Sequence, residues 1–185
     1  MEVRIKSITH EVSEDAPFVG AVISAIGCNF KCKGCFNRDL KKLPTIVSTA
    51  KEIIEEVISN PFNEGIIFGG LEWSEQPDEL IELIKEAVKE NLKIMIYTGC
   101  DFDEFHIRIG QAAFKKYNQS SGLSKVDLVA FKLAGNLILQ ALIKGDYYIK
   151  TGTYDRTDLV DNNIPFGVKL ASKNQTMFLI KGEKK

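Results

Sequence analysis

The chain has 185 residues, of which 44% are hydrophobic and 26% charged, and its 24 basic residues nearly cancel its 25 acidic ones. This much apolar material predicts one buried core without disulfide or metal staples, so we expect a single domain over residues 1–185. The interspersed charges disfavour nucleic-acid binding, and no stretch is apolar and long enough to predict a membrane span. The first residues alternate charged and apolar side chains, unlike an export signal. We therefore expect a reducing cytoplasm, where closely spaced thiols more often bind metal or do chemistry than form disulfides.

The apolar pattern predicts alternating strands and helices along the chain. Residues 18–26 are almost wholly apolar, which is typical of a strand covered on both faces. Thr49 and Glu52 have the spacing of a capping box, and a helical pattern follows until Asn60-Pro61. The pattern then predicts, in order, a strand at 65–70, a helix around 80–88, a strand at 92–97, a helix around 105–113, a strand at 126–131 and a helix at 137–143.

This alternation favours an α/β fold with a mostly parallel sheet and crossover helices. Ligands in that architecture bind at the carboxyl ends of the strands, and the loops richest in cysteine and glycine follow the first three long strands. The pattern weakens after about residue 145, where short strands are predicted at 147–150 and 176–180. We therefore predict a core over about residues 15–145 and a C-terminal extension over about 146–185.

The first of these loops carries three cysteines, Cys28, Cys32 and Cys35, at the spacing C-x3-C-x2-C. Three thiolates on one loop can hold three irons of a cubane. Because an ordinary electron-transfer cluster uses four cysteines, a three-thiolate loop leaves one iron free to take an exogenous ligand. The spacing therefore favours a [4Fe-4S] cluster with one open iron.

Other uses of the cysteines remain as alternatives. A zinc site usually pairs C-x2-C units or adds histidines, and the further candidate ligands here are His10, His106 and the distant Cys100. A redox pair at Cys32 and Cys35 leaves Cys28 unexplained, and a structural disulfide conflicts with the expected compartment. Cys100 is interpreted as a small buried residue and not as a ligand.

The cysteine spacing, with Gly34 and then Phe36-Asn37, resembles the radical S-adenosylmethionine (SAM) superfamily. Within it, the chain resembles the small activating proteins of anaerobic ribonucleotide reductase, over roughly residues 15–181. The resemblance implies an open, partial (β/α) barrel that binds a [4Fe-4S] cluster and SAM. It also implies that no side chain acts as a catalytic acid or base, since the cluster and SAM carry the chemistry.

The resemblance also places SAM contacts in the loops that follow the strands. The family's glycine-rich motif for the SAM amino group matches Gly69-Gly70, with Glu72 one residue later than the usual acidic position. The third strand end matches Thr98-Gly99. Residues 167–175 resemble the family's closing segment, with Ala171 at a glycine position. The implied cofactor-binding residues are Asn37, Gly69, Gly70, Glu72, Thr98 and Gly99.

The activity that the resemblance implies is reductive cleavage of SAM to a 5′-deoxyadenosyl radical, which generates a glycyl radical on a partner enzyme. The expected partner is anaerobic ribonucleotide reductase, and the expected reductant is a flavodoxin or ferredoxin. The chain has no cysteine-rich insert like those of many dehydratase activating enzymes. Two other hypotheses are a radical SAM enzyme that modifies a peptide or small molecule, and a non-catalytic iron-sulfur or zinc module. No nucleic-acid or membrane partner is expected.

Overall fold

The computed structural model describes residues 1–117 and 128–182. The helices are α1 (Ala50–Ser59), α2 (Pro77–Lys89), α3 (Phe102–Tyr117) and α4 (Leu128–Leu142). The strands are β1 (Glu2–Ile5), β2 (Ser7–Val12), β3 (Gly20–Ser24), β4 (Ile46–Thr49), β5 (Gly65–Gly69), β6 (Lys93–Tyr97), β7 (Tyr147–Thr151) and β8 (Thr176–Ile180).

Six of the strands form one mixed sheet in the order β2-β3-β5-β6-β7-β8. The four central strands run parallel, and β2 and β8 pair antiparallel at the two edges. The remaining strands, β1 and β4, form a separate antiparallel pair. The predicted α/β fold with a mostly parallel sheet is confirmed. An open six-stranded sheet is compatible with a partial barrel, which stays a prediction.

Local sequence signals account for the boundaries of the first two helices. The Thr49 hydroxyl accepts a hydrogen bond from the Glu52 amide at 3.2 Å, and the Glu52 carboxylate accepts one from the Thr49 amide at 2.9 Å, so the predicted capping box is present. Helix α1 ends two residues before Pro61, whose ring cannot continue it. Helix α2 begins at Pro77, where the fixed φ of proline suits the first turn.

The parallel strands bury opposite side chains on the two faces of the sheet. One face packs against the helices through apolar residues such as Ile66, Phe68 and Ile149. The other face carries Ile67 and Met95, and it is covered by chain segments near residues 16–18 and 168–177. This second face lies beneath the loops that follow β3, β5 and β6, so it forms the floor of the site described below.

The strand predicted at residues 126–131 is wrong where the structure describes it. Residues 126 and 127 lie outside the described residues, and Leu128 to Phe131 form the first turn of α4. Short apolar runs suit either a strand or a buried helix, and packing against α3 decides between them here. Gly110 and Gly135 let the two helix backbones touch, because a Cβ at Gly110 would lie 2.1 Å from the Phe131 carbonyl oxygen. The predicted helix at 137–143 is the second half of α4.

The other predicted elements match the structure to within a few residues. Strands β1, β2 and β4 were not predicted, because their short alternating sequences also suit loops. Residues from 147 onward supply β7 and β8 to the same sheet as the earlier strands. None of the helices in the described ranges is long and apolar enough to cross a membrane.

Candidate functional site

The three cysteines of the loop after β3 open onto one cavity at the carboxyl edge of the sheet. Cys28, Cys32 and Cys35 are each partly buried and line this cavity of about 220 Å³. The Cys35 amide donates to the Cys32 carbonyl at 3.4 Å, which closes a turn between the last two thiols. Burial raises the pKa of the Cys28 thiol, and a hydrogen bond from the Phe30 backbone offsets part of that effect. The loop therefore presents three thiols to a shared space.

Contacts from the next two strand ends hold the cysteine loop in place. The Glu75 carboxylate accepts the Asn29 amide at 2.8 Å, and the Glu72 amide donates to the Gly27 carbonyl at 2.9 Å. The Phe30 ring lies against Gly99, at the end of β6. The loop position is thus fixed by residues 72–75 after β5 and by Gly99 after β6.

Glu72 is the polar centre of the cavity wall. It is 2% exposed, and its carboxylate accepts hydrogen bonds from the Thr98 hydroxyl at 2.8 Å, the Gly99 amide at 2.7 Å and the Ser74 amide at 3.0 Å. A carboxylate offers about four acceptor positions, so these three donors leave about one for a ligand. The one-residue displacement in sequence does not remove Glu72 from the site, because the chain turns at Gly70 and brings the carboxylate back to Thr98 and Gly99.

Gly70 makes that turn in a conformation that suits glycine. Its φ is +74°, and a Cβ there would lie 2.2 Å from the Ser24 hydroxyl oxygen at the end of β3. Gly70 lines the cavity, as do Asn37, Thr98 and Gly99, whereas Gly69 ends β5 and is not among the lining residues. The structure therefore brings together the three cysteines and all the predicted cofactor-binding residues except Gly69.

Lys150 is a cavity residue that the sequence analysis missed. It is 7% exposed at the end of β7, and its ammonium group donates to the Gly152 carbonyl at 2.8 Å. It also lies 5.5 Å from the centre of the Tyr97 ring. Burial lowers the pKa of Lys150 to about 8, while the Glu72 carboxylate acts in the opposite direction. A lysine at the carboxyl end of a predicted strand was the available signal, but its burial depends on the pairing of β7 with β6.

The loops after β7 and before β8 form the far wall of the cavity. Thr153, Tyr154 and Gln175 line it, and the Gln175 side chain accepts the Ala171 amide at 2.9 Å. Ala171 also lines the cavity, so part of the predicted closing segment does reach the site.

A family model described as a 4Fe-4S single cluster domain matches residues 19–131, which is more than half of the chain. The chain belongs to this family. The 4Fe-4S single cluster domain is found in radical SAM-type proteins, and its presence supports the predicted iron-sulfur cluster. A search of the curated proteins finds no match to the chain.

The cysteine geometry fits the cluster of the 4Fe-4S single cluster domain. Within residues 1–117 and 128–182, no three His, Cys, Asp or Glu side chains converge as ligands of one metal ion. A cubane does not require such convergence, because each cysteinate binds a different iron. Structural zinc does require it, since four ligands meet at one ion. Three separate thiols that border one cavity therefore suit a cluster better than zinc.

The other candidate ligands lie away from the cysteines of the 4Fe-4S single cluster domain. Cys100 is buried, and its sulfur lies 3.4 Å from the Ser74 hydroxyl oxygen. His10 bonds to Asn63, and His106 on α3 bonds to the Phe102 carbonyl. None of the three is among the residues that line the cavity. The interpretation of Cys100 as a small buried residue agrees with this placement.

Proposed function

We propose that this protein is a radical SAM enzyme, and that it generates a glycyl radical on a partner enzyme, most plausibly an anaerobic ribonucleotide reductase. The observation that carries the first part is a loop of three cysteines that faces a cavity holding both a fixed carboxylate and a buried ammonium group. The second part is supported by the resemblance of the cysteine loop and the strand-end motifs to the small activating proteins.

The cysteines supply the metal-binding part of the proposal. Cys28, Cys32 and Cys35 would bind three irons and leave the fourth iron open, since Cys100 is buried elsewhere. When bound, the reduced cluster supplies one electron that breaks a carbon–sulfur bond of SAM, giving methionine and a 5′-deoxyadenosyl radical that takes a hydrogen atom from the substrate.

The charged residues of the cavity suit the amino-acid end of SAM, which carries an ammonium and a carboxylate. The remaining acceptor position of Glu72 would receive the ammonium group. Lys150 has three donors and uses one on the Gly152 carbonyl, so it can donate to the carboxylate. Both groups are buried and held in place before a ligand arrives, which lowers the cost of ordering them on binding.

The cavity walls would protect the radical from water. Phe30 and Leu71 border the cysteines, and Tyr97 borders Lys150. The Tyr97 hydroxyl donates to the Asp15 carbonyl at 2.8 Å, which fixes the ring. These side chains exclude solvent and orient the ligand, and the proposal requires no proton transfer by a side chain.

The decisive experiment reconstitutes the cluster anaerobically, reduces it with dithionite, adds SAM and measures 5′-deoxyadenosine by mass spectrometry. The unsubstituted protein should form it, Cys32→Ala should not, and Cys100→Ala should retain it as the matched control. The proposal fails if the protein holds one zinc ion and forms no 5′-deoxyadenosine.

A second measurement tests the partner. Anaerobic ribonucleotide reductase is added to the reduced protein with SAM, and electron paramagnetic resonance is used to search for a glycyl doublet. SAM cleavage without a doublet would support an enzyme that acts on a peptide or small molecule instead.

A further inference from the structure

Positive charge is concentrated on the cysteine loop and the turn that follows it. Residues 28–42 contain five basic residues and one acidic residue, a net charge of +4 in a chain whose total is −1. The rest of the chain therefore carries −5. The proposed function gives this charge no role, since its ligand contacts are Glu72 and Lys150. The five basic residues are Lys31, Lys33, Arg38, Lys41 and Lys42.

Two of these cations already have partners. Lys42 forms an ion pair with Asp39 at 2.5 Å, and the Lys41 ammonium group donates to the Cys28 carbonyl. Lys31, Lys33 and Arg38 are exposed and form no ion pair with a carboxylate of the described residues. Three cations around the cysteines are therefore open to a partner's negative charge.

An exposed aromatic ring lies among these cations. Phe36, next to Cys35, is 76% exposed, and the edge of its ring contact to Tyr154 has a centroid distance of 5.7 Å. Protein interfaces combine an aromatic anchor with a polar and charged rim. We call Lys31, Lys33, Phe36 and Arg38 the loop face. Its composition is that of a small charge-steered contact surface.

We propose that the loop face docks a small acidic electron-transfer protein that reduces the cluster. The inference rests on the proposed function for the need of a reductant. One electron leaves the carrier's reduced cofactor and enters the cluster, and no atom is transferred. Electron-transfer encounters use small interfaces, and opposite charges raise their association rates by one to three orders of magnitude. The cysteines lie directly behind the loop face, so a carrier docked there is close to the acceptor.

The test measures electron arrival without SAM. Reconstituted protein is mixed anaerobically with a reduced acidic flavodoxin, and bleaching of the cluster absorbance is followed by stopped flow at several salt concentrations. Lys33→Glu is the main variant, because Lys33 is exposed and does not line the cavity. We expect its second-order rate constant to fall about fivefold at low salt, with the difference shrinking at high salt. Lys33→Gln should fall between the two.

Three controls separate docking from other effects. Lys144→Glu changes an exposed lysine before β7, at the opposite edge of the sheet, and should leave the rate unchanged. Reduction of Lys33→Glu by dithionite and its cluster midpoint potential should also be unchanged. Calorimetric affinity for oxidised flavodoxin should weaken in Lys33→Glu alone, which gives a readout that does not depend on turnover.

Each other outcome overturns the inference. An unchanged flavodoxin rate in Lys33→Glu, or a lowered midpoint potential that accounts for the slower rate, would show that the lysine does not dock the carrier. Normal reduction with a lost glycyl doublet would assign the loop face to the partner enzyme. By contrast, normal charge-dependent reduction without any SAM cleavage would sink the proposed function and leave the docking surface standing.

Discussion

The cavity has two walls that differ in chemistry and in how they are held. The first wall comes from the ends of β3, β5 and β6, and it carries three thiols and a carboxylate that accepts three hydrogen bonds. The second wall comes from the end of β7 and the loops around residues 152–175, and it carries a buried lysine with a single hydrogen bond to Gly152. The first wall is cross-linked by its own polar contacts, whereas the second keeps a cation with unused donors.

This difference teaches that the two walls have separate duties. A metal-binding wall must be rigid before the metal arrives, because its ligands have to be placed correctly. A wall that receives a ligand gains by keeping donors free, even at a cost in folding stability. Substitutions on the first wall should therefore destabilise the protein, and the key substitution on the second wall should stabilise it.

The largest effect is expected for Glu72→Ala on the first wall. The change leaves the Thr98 hydroxyl and the Gly99 and Ser74 amides without their acceptor. At about 1 to 3 kcal/mol for each unsatisfied buried group, a loss of about 4 kcal/mol in the free energy of unfolding is expected. Chemical denaturation measures this, with Glu86→Ala on the exposed part of α2 as the control, since its ion pair with Lys89 is a surface pair worth little. A loss below about 1 kcal/mol would mean that the first wall is not held by Glu72.

The next effect is expected for Gly70→Ala, at the turn between β5 and Glu72. The new methyl group would overlap the Ser24 hydroxyl, and φ of +74° is strained for alanine. We expect a loss of about 3 kcal/mol together with lower iron content after reconstitution, because the turn also places the cysteine loop. Gly145→Ala is the matched control, since nothing lies within 4 Å of its Cβ position. Equal stability of the two variants would contradict the role of the turn.

Local sequence signals made the first wall predictable. Apolar runs marked β3, β5 and β6, and the cysteines and glycines that follow them reach the cavity because the carboxyl ends of parallel strands meet at one edge. Two details were not predictable. The contacts of Glu72 with Thr98 and Gly99 span 26 and 27 residues, and the turn at Gly70 had to be seen before the shifted acid could be placed.

The second wall was largely missed because tertiary pairing creates it. Lys150 in the sequence Tyr-Tyr-Ile-Lys-Thr reads as an exposed position, since lysine is seldom fully buried. Its burial arises when β7 pairs with β6, more than fifty residues earlier in the chain. Leu128 to Phe131 show the same limit, because contact with α3 and not their own pattern makes them helical. Sequence pattern therefore located the metal-binding wall but not the wall proposed to receive the ligand.

A smaller effect of opposite sign is expected for Lys150→Met on the second wall. With the pKa lowered to about 8, the folded protein below that pH holds a buried cation that the unfolded chain exposes to water. Replacement by methionine should raise stability at pH 7 by about 2 kcal/mol while weakening SAM binding at least about tenfold. Lys144→Met, on the surface, should change neither quantity.

The pH dependence gives a further check on Lys150. The unfolded chain binds more protons than the folded protein between about pH 8 and the ordinary lysine pKa of 10.5, so stability should rise across that window. The rise should vanish in Lys150→Met. SAM affinity should fall as pH increases through about 8, when the amine of the free protein loses its charge. A destabilised Lys150→Met, or one that binds SAM normally, would show that the lysine has a structural role and would erase the contrast between the walls.

The smallest effect is expected for Thr49→Ala, which lies at the start of α1 and outside both walls. The change removes the hydroxyl that caps the helix and should cost about 1 kcal/mol by denaturation, with iron content and SAM binding unchanged. Hydrogen bonds from the Ser48 hydroxyl and from the Thr49 amide and hydroxyl lower the pKa of Glu52 to about 2. The stabilisation by this carboxylate is therefore present above its ordinary pKa of 4.5 and is lost as the pH falls towards about 2, so the difference between Thr49→Ala and the unsubstituted protein should shrink over that range. If Thr49→Ala instead lowered the iron content as Gly70→Ala is expected to, metal loading would follow general stability, and the distinction between the walls would lose its basis.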